Sequence, residues 1–166
     1  MNRNLGIVIA ILVAVAAFAI WHQSRPQTMH VSDMKFVVES FDWTEPKTDQ
    51  SIDGNPIRIA DQIYARGIST HATTTIFVDV PHGFKRFIAE VGVDAQVKPD
   101  GPSSVQFFVY GDKSLMYESP VMRPKDAPRR VDLWVDEIET LKLLSTDAGD
   151  GNNSDHADWA DAKFVR

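Results

Sequence analysis

The chain has 166 residues, 43% of them hydrophobic, which is enough for one domain with a buried core plus an extension. Its net charge of −6 at pH 7 argues against a nucleic-acid partner, because binding a phosphate backbone requires clustered cations. The chain contains no cysteine, which excludes disulfides and cysteine-based zinc sites.

An apolar segment lies at the start of the chain. Leu5 to Trp21 is an uncharged run of 17 residues, just long enough to span a bilayer, for which about 17–25 residues are needed. Ala17-Phe18-Ala19 matches a signal-peptidase cleavage pattern, whereas the run's continuation to a tryptophan favours an uncleaved anchor. We therefore predict a membrane anchor or signal segment at 1–23, a linker at 24–33 and a folded domain at 34–166. The domain is expected on the periplasmic or extracellular side, single-pass and tethered, or secreted if cleavage occurs.

Apolar and polar residues alternate through most of the folded domain, which is typical of half-buried strands. Clusters of Pro, Gly, Asp and Asn separate these runs and indicate turns. Several short strands with regular turns, and no long helical pattern after residue 23, predict an all-β sandwich or barrel. The alternating runs begin near Phe36, Ile76, Phe87, Val105, Val131 and Leu141.

The last polar segment, 146–163, follows the final alternating run. It combines one histidine, one tryptophan and two glycines with five aspartates: Asp147, Asp150, Asp155, Asp158 and Asp161. The glycines permit a tight loop. Such a loop suits sugar hydroxyls or a hard cation, and it suits phosphate poorly, because phosphate prefers cations and helix N-termini.

Four segments together carry a family resemblance. Tyr64–Ala72 contains the pattern Y-x-[KR]-G-[IL]-x-x-H-A, and Phe87–Asp94 contains F-x-A-x-V-G-V-D. Val105–Asp112 and Asp147–Ala162 follow in the same order and spacing. From about residue 35 to 165 the chain resembles the NPCBM/NEW2 family. The resemblance implies a galactose-binding-domain-like jelly roll that binds carbohydrate and that usually accompanies glycoside hydrolases, often ones acting on galactosides.

Sugar recognition requires an aromatic face and planar polar side chains. The candidates in the last segment are Trp159, His156 and Asp155, and loop clustering at one end of a jelly roll adds His71 and Asp94. Each also has a structural interpretation. The tryptophan could belong to the core of a final strand, His71 could satisfy buried backbone groups, and the aspartates could cap loops.

Trp134 is predicted to face outward, since Val131, Leu133 and Val135 alternate with it. Three interpretations remain open for an exposed tryptophan on a sheet: a sugar platform, a partner contact, or a side chain covered by the segment around Trp43.

A metal ion is the second possibility for the last segment. Asp147, Asp150 and Asp155 could contribute oxygens to calcium, and the resemblance implies that a structural calcium is common in such modules. The spacing does not match an EF-hand. A zinc site from His71, His156 and Asp155 is a further alternative.

Catalysis is not predicted. Glycoside hydrolysis needs two carboxylates about 5–9.5 Å apart, one with a raised pKa. Glu90 with Asp94, or Asp155 with Asp158, could form such a pair, but hydrated surface loops rarely desolvate an acid. We predict a membrane-tethered, non-catalytic module for glycans, including galactose-containing ones, with a glycoside hydrolase or envelope protein as partner. The alternative is an extracytoplasmic protein–protein scaffold with the same sandwich and no sugar binding.

Overall fold

Strands occupy about half of residues 27–98 and 101–166, which are the residues, together with Val13, that this computed structural model describes. The strands are β1 Thr28–His30, β2 Val37–Ser40, β3 Lys47–Thr48, β4 Ile57–Ile59, β5 Gln62–Tyr64, β6 Gly67–His71, β7 Thr74–Asp79, β8 Arg86–Val93, β9 Gln106–Gly111, β10 Ser114–Glu118, β11 Arg129–Trp134, β12 Thr140–Thr146 and β13 His156–Val165. A 3-10 turn, Val31–Asp33, follows β1.

Two antiparallel sheets pack face to face. The first has the order β11-β8-β13-β6-β3, and β1 pairs with the far end of β13. The second has the order β10-β9-β12-β7-β2, and a separate hairpin joins β4 to β5. The predicted all-β sandwich is therefore confirmed.

The alternation read from the sequence places the core correctly. Phe87, Val91, Phe107 and Leu143 have no exposed surface, and each points between the sheets. The largest fully buried side chain of the described core is Trp159, whose ring meets Phe107 edge to face with centroids 5.1 Å apart. Contacts of this kind join the two sheets.

The β4–β5 hairpin covers the outer face of the first sheet and is not predicted by the sequence. Ile57 and Ile59 pack there on Ala160 and form a second apolar cluster. Gly92 permits this approach, because a Cβ at that position would lie well inside van der Waals contact of the Ile59 side chain. Two three-residue strands are too short to show a periodicity.

The sandwich begins earlier than predicted. β1 pairs with β13, and Val31, within the predicted linker 24–33, has no exposed surface. The backbone N–H of Arg166 donates to the carbonyl of Gln27 at 3.0 Å, so the chain enters and leaves the sandwich side by side. The domain boundary at residue 34 is therefore corrected to about residue 28.

The predicted membrane segment, 1–23, lies outside the described residues apart from Val13. Among the residues that the structure does describe, no helix combines the length and the apolar composition needed to cross a bilayer.

Candidate functional site

A cavity of about 470 Å³ opens at the end of the sandwich where β6 ends and β13 begins. It is formed by the β2–β3 loop, the end of β6, and the β12–β13 loop with the first residue of β13. Its lining residues are Asp42, Trp43, His71, Asn152, Asn153, Ser154 and His156. The register places His71 and His156 directly opposite each other on neighbouring strands.

Three aromatic rings, those of Trp43, His71 and His156, line this cavity and contact one another. The Trp43 indole stacks loosely on the His156 imidazole, with an interplanar angle of 18° and centroids 6.2 Å apart. His71 meets Trp43 edge-on at 5.3 Å and His156 at 5.6 Å. Trp43 remains 63% exposed, so most of its apolar surface is available to a ligand.

Hydrogen bonding fixes the tautomer of His71. Its Nδ1 lies 3.0 Å from the carbonyl oxygen of Ala72, which can only accept, so Nδ1 carries the proton. Burial and the neighbouring His156 lower the pKa of His71, so the ring is neutral at neutral pH. Nε2 of a neutral ring with this tautomer is an acceptor, which suits a ligand hydroxyl.

His156 lies beside a turn from another part of the chain. Its Nδ1 lies 3.7 Å from Oδ2 of Asp53. The turn is closed by hydrogen bonds between Ser51 and Asn55 and between Gly54 and Ser51. A further hydrogen bond joins the β2–β3 loop to the β12–β13 loop, since the Asn152 amide donates to the carboxylate of Asp42.

The acidic β12–β13 loop is held from beneath by Asp155. Its Oδ1 accepts from the backbone N–H of Ser104 at 2.9 Å, and its carbonyl accepts from Ala72 N at 2.9 Å, beside His71. Asp155 has no exposed surface, and burial raises its pKa to about 6. The predicted binding role of Asp155 is therefore corrected to an anchor of the loop.

The loop does not fit calcium. Oδ1 of Asp147 accepts from Gly149 N at 3.0 Å, and Oδ1 of Asp150 accepts from the hydroxyl of Ser104 at 2.7 Å, so one oxygen of each carboxylate is directed to a protein donor. Within residues 27–98 and 101–166, no three His, Asp or Glu side chains approach closely enough to hold a metal ion. The same finding removes the zinc alternative at His71, His156 and Asp155.

Two further predicted binding residues are internal. Trp159 has no exposed surface and packs against Phe107, so it cannot stack on a ligand. Asp94 is equally buried and accepts from the backbone N–H groups of Gln96 at 2.8 Å and Arg58 at 3.4 Å. Both predictions failed for the same reason: the motif that identifies the family here also builds its core.

Trp134 is exposed, as predicted, but it lies far from the cavity. It pairs with Arg86 near the opposite end of the first sheet, and Lys85 Nζ lies 5.7 Å from its ring centroid. It is 61% exposed, so the alternative that the segment around Trp43 covers it is wrong.

The carboxylates considered for hydrolysis do not face a common cleft. Asp94, Asp155 and Asp158 have no exposed surface, and Glu90 lies 3.5 Å from Arg130. Burial and the adjacent Asp94 raise the pKa of Asp158 well above its usual range, and its partner is the Ser69 hydroxyl under the β4–β5 hairpin. These acids support the sheet.

Trp43 is a candidate site residue that was not predicted from the sequence. The available signal was its setting: it follows Asp42 in a segment that ends at Pro46 and that shows no strand alternation. A tryptophan outside any apolar period has no predicted place in the core and is a candidate for the surface.

The molecule is a small antiparallel β-sandwich with a loop-lined cavity at one end. An indole, two imidazoles and amides line that cavity, and this combination is typical of a ligand-binding β-sandwich module. The chain belongs to the NPCBM/NEW2 domain family, whose model matches residues 27–165. This confirms the resemblance read from the four sequence segments.

The relatives are larger proteins that contain a similar segment. Alpha-1,3-galactosidase B of Akkermansia muciniphila is 35% identical over 119 residues, which are 70% of this chain and 15% of the enzyme. The present chain thus spans less than a sixth of that protein.

Two solved structures share the sandwich. The CBM51-2 of Clostridium perfringens ZmpB, solved in complex with GlcNAc, has a TM-score of 0.80 at 34% identity and covers 84% of this chain and 32% of that one. The CBM51 of Clostridium perfringens GH95, solved in complex with methyl-galactose, has a TM-score of 0.79 at 29% identity. The match covers 83% of this chain and 99% of that one.

Proposed function

We propose that this chain is a non-catalytic carbohydrate-binding module that holds the terminal sugar of a galactose-containing glycan in the end cavity. The observation that carries the proposal is the exposed Trp43 indole beside the two imidazoles of His71 and His156. An exposed indole packs on the apolar face of a pyranose, and Nε2 of neutral His71 accepts from a ring hydroxyl.

Polar groups around the rings complete the recognition. The Asn152 and Asn153 amides and the Asp42 carboxylate line the same cavity and can pair with adjacent hydroxyls. Similar domains in solved structures hold methyl-galactose and GlcNAc, which supports a hexose as the ligand. One sugar buries little surface, so we expect modest affinity.

The test compares two tryptophans with matched exposure. Trp43→Ala should weaken binding of methyl-galactose at least about tenfold, which is about 1.4 kcal/mol, because the stacking surface is lost. Trp134→Ala, at the opposite end of the sheet, should leave binding unchanged. Binding is followed by ligand-observed NMR on the full 166-residue chain in a detergent without a sugar headgroup, with glucose and mannose for comparison.

If both variants bind methyl-galactose equally well, the sugar does not bind in the end cavity. A wild-type protein that binds no sugar in this panel, and that copurifies with a protein partner, would favour the scaffold function instead.

We also propose that residues 1–23 tether the domain to a membrane with the sandwich on the extracytoplasmic side. Such a tether would join the sandwich at β1, which pairs with the last residues of β13. β13 has ten residues and spans about 30 Å, and the cavity lies at its other end. The cavity would then face away from the membrane. An alkaline phosphatase fusion at Arg166 should be active only if the domain is exported, and an inactive fusion would reject this location.

A further inference from the structure

A second surface runs along the β4–β5 hairpin. Asn55, Pro56, Arg58, Ile63 and Gln96 line a depression of about 260 Å³. A neighbouring depression of about 580 Å³ shares three of these residues, so the two are continuous. We call this surface the hairpin groove.

The groove combines an apolar face with planar polar groups. Ile63 is 70% exposed, although it is a large aliphatic residue in a strand. Beside it, the Asn55 amide donates to Gln96 Oε1 at 2.6 Å, and the Gln96 amide donates to the Ser51 hydroxyl at 2.6 Å. This chain of bonds fixes both amides and leaves the Asn55 Oδ1 without a partner among the described residues. A fixed acceptor next to an exposed apolar surface suits a sugar ring.

The groove begins next to the end cavity. Asp53, whose carboxylate lies 3.7 Å from His156, and Asn55 belong to the same turn. Only Gly54 lies between them, so their Cα atoms are at most about 7.6 Å apart. The shortest connection between the end cavity and the groove therefore runs along this turn, past Asp53.

We propose that the hairpin groove holds the sugar units that follow the terminal sugar, so that the ligand is a galactose-terminated oligosaccharide rather than a single sugar. This inference rests on the proposed function of the end cavity. The cavity would select the terminal sugar, and the groove would add affinity for longer chains.

The experiment compares methyl-galactose with two galactose-terminated oligosaccharides, globotriose and lacto-N-neotetraose. The wild-type full-length chain should bind whichever oligosaccharide has the higher affinity at least about tenfold more tightly than methyl-galactose, equivalent to about 1.4 kcal/mol. Arg58→Ser with Ile63→Ser should abolish this gain and leave methyl-galactose binding unchanged. Val37→Ser, an aliphatic residue of similar exposure on the second sheet, is the matched control and should keep the gain. Melting temperatures confirm that each variant is folded.

Two results would overturn the inference while the end cavity remains a sugar site. One is equal wild-type affinity for methyl-galactose and both oligosaccharides, and the other is a gain that survives the double substitution. Absence of binding to all three probes is a different outcome, since it rejects the proposed function itself.

Discussion

The buried Asp155 carboxyl should make the stability of the acidic loop depend on pH in an unusual direction. Its folded-state pKa is raised from 3.8 to about 6, so the folded protein holds a proton that the unfolded chain releases. The stabilisation that this carboxyl group contributes is fully present below about pH 4 and is lost as the pH rises through about 6. The change of pKa corresponds to at most about 3 kcal/mol.

Asp155→Asn removes the titration and keeps an oxygen for the Ser104 N–H. The amide itself carries a cost, because the buried Oδ2 that it replaces has no partner among the described residues. That cost does not vary with pH, so the quantity to compare is the difference in unfolding free energy between pH 4 and pH 7.5. Wild type should lose about 2–3 kcal/mol more than the variant over this interval.

Urea unfolding followed by tryptophan fluorescence and circular dichroism measures both free energies. Glu137→Gln, at an exposed carboxylate in the β11–β12 turn, is the control and should behave as wild type does. The raised pKa of Asp158 contributes equally to all three proteins and cancels. If wild type and Asp155→Asn change by the same amount, Asp155 is not held protonated by burial, and the reasoning about the loop anchor is refuted.

Two further predictions concern the site and the hairpin. Protonation converts His71 Nε2 from an acceptor to a donor. The affinity for methyl-galactose should therefore be constant above about pH 7 and fall on the acid side of pH 6.5. The affinity of the His71→Gln variant should not change with pH in the same NMR titration. The lowered pKa of His71 also means that the contribution of His71 to folding stability is lost as the pH falls through that range, so melting temperatures are needed to separate unfolding from weaker binding. Gly92→Ala should destabilise the domain by about 1–3 kcal/mol, since its methyl group collides with Ile59, and Gly92→Ala combined with Ile59→Ala should recover part of that loss in urea unfolding. A neutral Gly92→Ala would mean that the hairpin does not pack closely on the sheet.

The sequence predicted the strands whose alternation spans several residues and whose apolar side faces one core. β9 and β12 are clear examples, because buried and half-buried side chains alternate along both strands. The β4–β5 hairpin has only three residues in each strand, and its apolar side chains pack on the outer face of a sheet, so no period reveals it. Short covering elements are determined by tertiary contacts rather than by local pattern.

The site was predictable only in part, for a related reason. His71 and His156 belong to motifs and were found, and their cross-strand register explains why they meet. Trp159 belongs to the same motif but points to the core. It lies three positions after His156, and residues an odd number of positions apart in a strand face opposite sides. Trp43 comes from a loop with no motif, and only the three-dimensional closure of the β2–β3 loop against β6 brings it to the cavity.

The pairing of β1 with the end of β13 has a consequence for how such a domain is joined to other sequences. Gln27 and Arg166 are hydrogen-bonded neighbours, so the stretch between them could be placed within a surface loop of a host protein without forcing the host's flanking segments apart. The same proximity should allow circular permutation, with Gln27 and Arg166 linked and new ends opened in the exposed β9–β10 turn at Asp112 and Lys113. The order of the strands along the chain is therefore less constrained than their arrangement in space.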